Sequence, residues 1–178
     1  MSVDRRMRCV VLAALLMMGA SECCGRLHAA AASKPVIVET RRIWDRARHN
    51  AFTDLLRFEG RWYCVFREGT AHVSPDGSLR VITSADGADW KSMALIESSR
   101  YDLRDAKITV TPGGQLMLNG AGMLADAKVR YFSMSWLSSD GGRRWDGGRQ
   151  IGDDGFWLWR TQWHDGVAYS MGYSTERD

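Results

Sequence analysis

Apolar residues along this chain fall into short alternating runs broken by glycine-containing turns, and the same pair of runs returns three times. Thr53–Phe58 and Arg61–Phe66 flank Glu59-Gly60. Lys107–Val110 and Gln115–Leu118 flank a turn at Gly113-Gly114, and Arg160–Trp163 and Val167–Ser170 flank Asp165-Gly166. A period of two predicts strands, and Glu-Gly, Gly-Gly and Asp-Gly admit the positive φ that tight hairpins need. Gly60, Gly114 and Gly166 stand 54 and 52 residues apart, so the hairpins belong to a repeat.

A second element keeps the same interval. Ser84-Ala85-Asp86-Gly87-Ala88-Asp89-Trp90 and Ser138-Ser139-Asp140-Gly141-Gly142-Arg143-Arg144-Trp145 place Asp86 and Asp140 54 residues apart. Physically each is a turn: the aspartate accepts from nearby backbone N–H groups, the glycine supplies unusual φ and the tryptophan packs back beneath the loop. The first copy is one residue shorter between Asp and Trp, which predicts a tighter or distorted turn. Four strands in about 54 residues is the size of a propeller blade. The predicted strands are 50–58, 61–67, 79–84 and 91–96, then 105–111, 115–121, 129–137 and 148–151, then 157–163 and 167–173. The fold expected is all-β: a partial β-propeller with blade one over about 50–96, blade two over about 105–151 and half of blade three over about 157–174. Two and a half blades do not close a ring, so the chain is expected to be a truncated piece of a longer propeller and inactive alone.

The later turn spells Ser-x-Asp-x-Gly-x-x-Trp in full and resembles the Asp-box, or BNR repeat, of sialidases and related propellers. In that reading Ser84, Asp86, Trp90, Ser138, Asp140, Gly142 and Trp145 are structural. In an up-and-down blade the tight hairpins and Asp turns share one end of the strands, and the loops leaving each second strand share the other with the blade-to-blade connections. That other end gathers His49-Asn50, Arg67-Glu68-Gly69-Thr70-Ala71-His72, Asp102-Leu103-Arg104-Asp105 and Trp157-Leu158-Trp159-Arg160. His49-Asn50-Ala51-Phe52-Thr53-Asp54, Phe66-Arg67-Glu68-Gly69, Leu103-Arg104-Asp105 and Phe156-Trp157-Leu158-Trp159-Arg160 are similar to bacterial secreted proteins of the exo-α-sialidase-like superfamily, a likeness covering the chain from about Val36 onward. The resemblance implies a six-bladed ring and, in authentic sialidases, release of terminal sialic acid with retention, using an arginine triad, an Asp acid/base and a Tyr–Glu nucleophile pair.

A planar guanidinium matches a carboxylate with two parallel bonds, so Arg67, Arg104 and Arg160 are the candidates to hold an acidic sugar, each also readable as a structural ion-paired arginine. Asp105 and Asp54 are the acid/base candidates, with strand-end hydrogen bonding as the alternative. Glu68 either orients a nucleophile or pairs with an arginine. His49, Asn50, Trp157 and Trp159 complete the candidate binding set, whereas Trp62, Trp90, Trp136 and Trp145 are expected to pack between sheets. The Phe-Arg-Ile-Pro tetrapeptide of authentic sialidases is absent, and no nucleophile is assigned. That departure favours the alternative of a non-catalytic carbohydrate- or protein-binding Asp-box propeller.

Composition narrows the setting. Basic residues number 24 against 21 acidic, a formal charge of +3 that gives no reason to expect nucleic acid as a partner. Arg5-Arg6-Met7-Arg8, the apolar run Cys9–Met18 and the small residues Ala29–Ala32 read as a signal peptide over 1–32, hence a secreted or periplasmic protein with no stable membrane insertion after cleavage. Glu22 before Cys23 argues against lipid attachment. Only Cys64 then stays in the mature chain, as a buried inert thiol rather than half of a disulfide. His49, His72 and His164 lack metal-ligand spacing, so neither metal nor cofactor is expected, and the partner expected is a glycan or glycoconjugate.

Overall fold

A computed structural model describes residues 34–124 and 131–175, and the signal-peptide reading lies outside them. By contacts the chain divides at Thr40, and the fold below is that of the unit from Arg41 onward. It is all-β, with no helix among the described residues: β1 (His49–Phe58), β2 (Arg61–Gly69), β3 (Ser78–Ser84), β4 (Lys91–Ile96), β5 (Asp102–Val110), β6 (Leu116–Met123), β7 (Tyr131–Ser138), β8 (Arg149–Ile151), β9 (Phe156–His164) and β10 (Val167–Ser174). All begin and end within three residues of the predicted runs. They form antiparallel sheets in the orders β1-β2-β3-β4 and β5-β6-β7-β8, with β9-β10 as a two-stranded third sheet. The sheets do not close on one another, an arrangement consistent with part of a propeller.

The turns do what their residues allow. Glu59-Gly60 and Asp165-Gly166 have positive φ at both central positions, the twist that suits a two-residue hairpin. The β5–β6 connection differs from a bare Gly-Gly turn, because Thr111-Pro112-Gly113-Gly114 closes through Gly114 N–H to Thr111 O (2.9 Å) and Thr111 N–H to Gln115 O (2.8 Å). The two Asp turns share one bond plan. Asp86 Oδ1 accepts from the N–H groups of Ala88 and Asp89, and Asp140 Oδ1 from those of Arg143 and Arg144. In both, the tryptophan indole donates back into the turn at 3.0 Å, Trp90 to Gly87 O and Trp145 to Gly142 O. The shorter copy drops one residue without losing the plan, and its turn is the tighter one: Gly87 N–H reaches Ser84 Oγ over three residues where Gly142 N–H reaches Ser138 Oγ over four.

Successive sheets pack face to face. β5 lies across β1, β2 and β3, and β9 across β5, β6 and β7. Between the first two sheets the core is apolar: Tyr63, Val65, Leu79, Val81 and Ile96 meet Leu103, Ala106, Ile108, Leu116, Leu118 and Trp136, with Trp145 partly buried against them. The opposite face of the first sheet holds Cys64, Phe66 and Ile82 under Trp44 and Trp90. Trp62 is half-buried, with Arg57 over its ring. The contact between the second and third sheets differs in carrying several polar bonds beside the packing of Tyr131 on Trp157. Asn119 donates to Thr161 Oγ1 (2.6 Å), Ser133 donates to Phe156 O (3.0 Å) and accepts from Leu158 N–H (2.8 Å). Every residue of β10 is exposed.

Each sheet's first strand carries a β-bulge. Phe52-Thr53 oppose the single Phe66, Asp105-Ala106 oppose Gly120, and Trp159-Arg160 oppose Met171. The three bulges are therefore in phase with the repeat. Bulges re-aim a side chain out of the pleat, and they recur beside functional sites.

Candidate functional site

The first residues of the three bulges, Phe52, Asp105 and Trp159, line one cleft of about 560 Å³. His72 and Val73 from the β2–β3 loop, Arg104 and Lys107 of β5, Tyr131 at the start of β7, Trp157 of β9 and Tyr173 near the end of β10 complete it. It opens at the strand ends opposite the Asp turns. Phe52 and Asp105 hold φ of 60° and 54°, a left-handed conformation costly to residues with a Cβ and concentrated at functional positions.

Asp105 is held from both sides. Lys107 Nζ donates to Oδ1 at 2.5 Å and the indole of Trp157 donates to Oδ2 at 2.9 Å. The Trp157 ring has Tyr131 at 5.3 Å between centroids and Tyr173 stacked at 6.4 Å and 11°. Trp159 is more open, 53% exposed, with Tyr173 6.5 Å away.

Arg104 forms a charged floor. Only 5% exposed, it donates to His72 O at 2.8 Å, lies 6.0 Å from the Phe52 ring centroid and faces Asp102 Oδ2 at 3.5 Å, while its buried Nε has no hydrogen-bond partner. Behind it stands Arg67, wholly buried, which donates through Nε (3.1 Å) and Nη2 (2.8 Å) to Asp102 Oδ1 and through its remaining N–H groups to Ala71 O and Ser74. Two guanidiniums thus share the single carboxylate of Asp102, which leaves the cluster with a positive excess beside the cleft.

The three arginines expected to converge are not assembled. Arg104 alone lines this cleft; Arg67 supports it through Asp102, and Arg160 pairs with Asp54. Asp54 is buried at the meeting of three first strands, accepting from its neighbour Leu55 N–H (2.9 Å), from Ile108 N–H of β5 (3.0 Å) and from Arg160 of β9. Those bonds give it a clamping position between the sheets. Glu68 points to the opposite face of the first sheet, accepting from Trp44 Nε1 (2.5 Å) and Arg80 (2.8 Å). His49 sits edge-on to His72 at 5.5 Å, and Asn50 donates to Ala47 O (2.9 Å). Of the predicted set, the cleft brings together Arg104, Asp105, Trp157 and Trp159.

Phe52, Val73, Lys107, Tyr131 and Tyr173 are not among the candidate site residues read from the sequence, which places His72 at this end of the strands without a binding role. A signal did exist for Phe52: it precedes Asp105 by 53 residues and Asp105 precedes Trp159 by 54, the interval of the turns.

Hydrogen bonding lowers the carboxyls that brace the loops. Asp76, held by the Ser74 hydroxyl and then by Thr70 N–H, falls to about 2 and steadies the loop that carries His72. Asp86 falls to about 2 through the N–H groups of Asp89 and Ala88, and Asp140 is lowered chiefly by Arg144 N–H. Among the described residues no group of His, Cys, Asp and Glu is arranged to hold a metal ion, and no helix is long and apolar enough to cross a membrane.

No family model and no curated protein matches the sequence. Among solved structures the chain is similar to the GH32 beta-fructofuranosidase BmSUC1 of Bombyx mori, with TM-score 0.51, 16% identity, and coverage of 72% of this chain and 30% of that one. It is also similar to a protein of unknown function from Dyadobacter fermentans DSM 18053, with TM-score 0.48, 21% identity, and coverage of 57% and 36%. The chain spans about a third of either. The first likeness bears on the fold alone and agrees with part of a propeller. The sialidase resemblance rests on the motifs alone.

Proposed function

We propose that this chain carries part of the active site of an exported propeller glycoside hydrolase acting on terminal sialic acid or a related acidic glycan. The carrying observation is the cleft itself, lined by the buried guanidinium of Arg104 and the braced carboxylate of Asp105 together with aromatic side chains. A guanidinium at the floor of a cleft, with only one carboxylate shared between it and Arg67, suits a sugar carboxylate. A carboxylate set by two donors serves as an acid/base or charge-stabilising group in glycoside cleavage. Trp159 offers an open aromatic face for a pyranose ring. The propeller-glycosidase likeness of the fold supports the reading.

The test is binding and turnover. Free sialic acid is expected to bind this chain in preference to an uncharged hexose, and Arg104→Ala is expected to abolish the preference. A fluorogenic sialoside offered to a closed ring containing these sheets is expected to turn over, with Asp105→Ala inactive. Equal binding of charged and neutral sugars would remove the acidic substrate. Selective binding without turnover would favour the non-catalytic glycan-binding propeller, a reading supported by the absent tetrapeptide.

A further inference from the structure

We propose that Trp157 is a positioning residue for Asp105 rather than a sugar platform, an inference that rests on the reading of the cleft given above. Three observations converge. The indole N–H is committed to Asp105 Oδ2 at 2.9 Å, across two sheets and 52 positions of sequence. The ring already has two aromatic neighbours, Tyr131 and Tyr173, so its surface is largely spoken for by the protein. Asp105 sits on a bulge with φ of 54°, a backbone that lifts the carboxylate out of the pleat and leaves its direction to be set by side-chain partners.

Lys107 alone does not fix that direction. Its ammonium is a point charge on a flexible stem, and it also lies 3.3 Å from Ala106 O, so it holds one oxygen without defining the carboxylate plane. The indole adds a second donor on the other oxygen from a rigid ring wedged between tyrosines. With the ammonium on one oxygen and the rigid indole on the other, the carboxylate plane is defined, and the remaining acceptor directions of Asp105 are held in one orientation. Ring-face recognition falls to Trp159, which has no such bond and is the more exposed of the two.

The two roles separate on substitution. Trp157→Phe keeps an aromatic ring against the tyrosines but deletes the N–H. A positioning role predicts that Trp157→Phe and Trp157→Ala weaken binding of free sialic acid equally, by about tenfold, the size expected for one hydrogen bond to a charged group. It further predicts that Trp157→Phe adds nothing in an Asp105→Asn background, because the two residues act as a unit. A platform predicts that Phe restores most of what Ala loses and that the losses add; either result overturns the proposal. A second readout needs no ligand: the indole N–H resonance of Trp157 is expected to move when Asp105 becomes Asn, and an unmoved resonance also overturns the proposal. Should the unaltered protein bind no acidic sugar, the proposed function falls while the resonance still decides whether Trp157 holds Asp105.

Discussion

Replacing Asp102 with Asn tests whether the charged cluster behind the cleft is as isolated from water as its geometry says. The substitution conserves shape but deletes the one negative charge shared by Arg67 and Arg104. The side chains of Arg67 and Asp102 are 0% and 1% exposed, so solvent does not screen the loss. Breaking a buried pair by removing one partner costs about 3–5 kcal/mol, because the surviving charge is stranded. Set against a typical total of about 5–15 kcal/mol, that is a large share, equivalent to a drop of about 6–20 °C in Tm for a chain of this size. The internal control is Glu68→Gln, which breaks the Arg80 pair at the same 2.8 Å separation; the Arg80 and Glu68 side chains are 17% and 9% exposed, so the stranded arginine reaches water more easily and the expected cost is lower, about 1–3 kcal/mol. Both are read by urea titration followed by tryptophan fluorescence. Equal losses in the two variants, or a loss under about 1 kcal/mol for Asp102→Asn, would show that the cluster is relieved by water or by another anion and would refute the reasoning.

Acid should loosen the turns before the core. Asp76 and Asp86 titrate near 2 when folded against an ordinary 3.8, so their stabilisation is whole above pH about 4 and is lost as pH falls through about 2. Amide exchange at Thr70, Ala88 and Asp89 should rise in that window, and Asp86→Asn should flatten the response at the last two. Gly77→Ala should destabilise by about 1–3 kcal/mol, since a Cβ there would collide with Asp102 Oδ1 and come within 2.7 Å of Arg67 Nε and Leu103 O; denaturant melts check it. Cys64, whose thiol burial raises to about 11, should resist alkylation at pH 8 in the native protein and react once urea unfolds it.

The strands and sheet order were legible because turn chemistry is local: Glu59-Gly60 and Asp165-Gly166 favour tight hairpins between alternating runs, and their interval carries the repeat. The site was less legible because it depends on parity. β2 is buried on both faces from Tyr63 to Gly69, so nothing in its composition says that Arg67 shares a face with Val65 while Glu68 shares the other with Phe66. A bulge shifts that parity by one residue, and the one in β5 separates the roles of Arg104 and Asp105. Asp54 and Arg160, 106 positions apart, meet because β1 and β9 both pack on β5, which no local pattern announces.

The polar seam between the second and third sheets has a consequence for the order in which this molecule comes apart. Where the first two sheets are glued by aliphatic burial, β9 and β10 are moored by a few directional bonds that water can replace one at a time. Trp157, Trp159 and Tyr173 all ride on that hairpin. Gentle denaturant should therefore dismantle the cleft while most of the β-sheet signal survives, and the cleft should be the last part of the protein to form during folding.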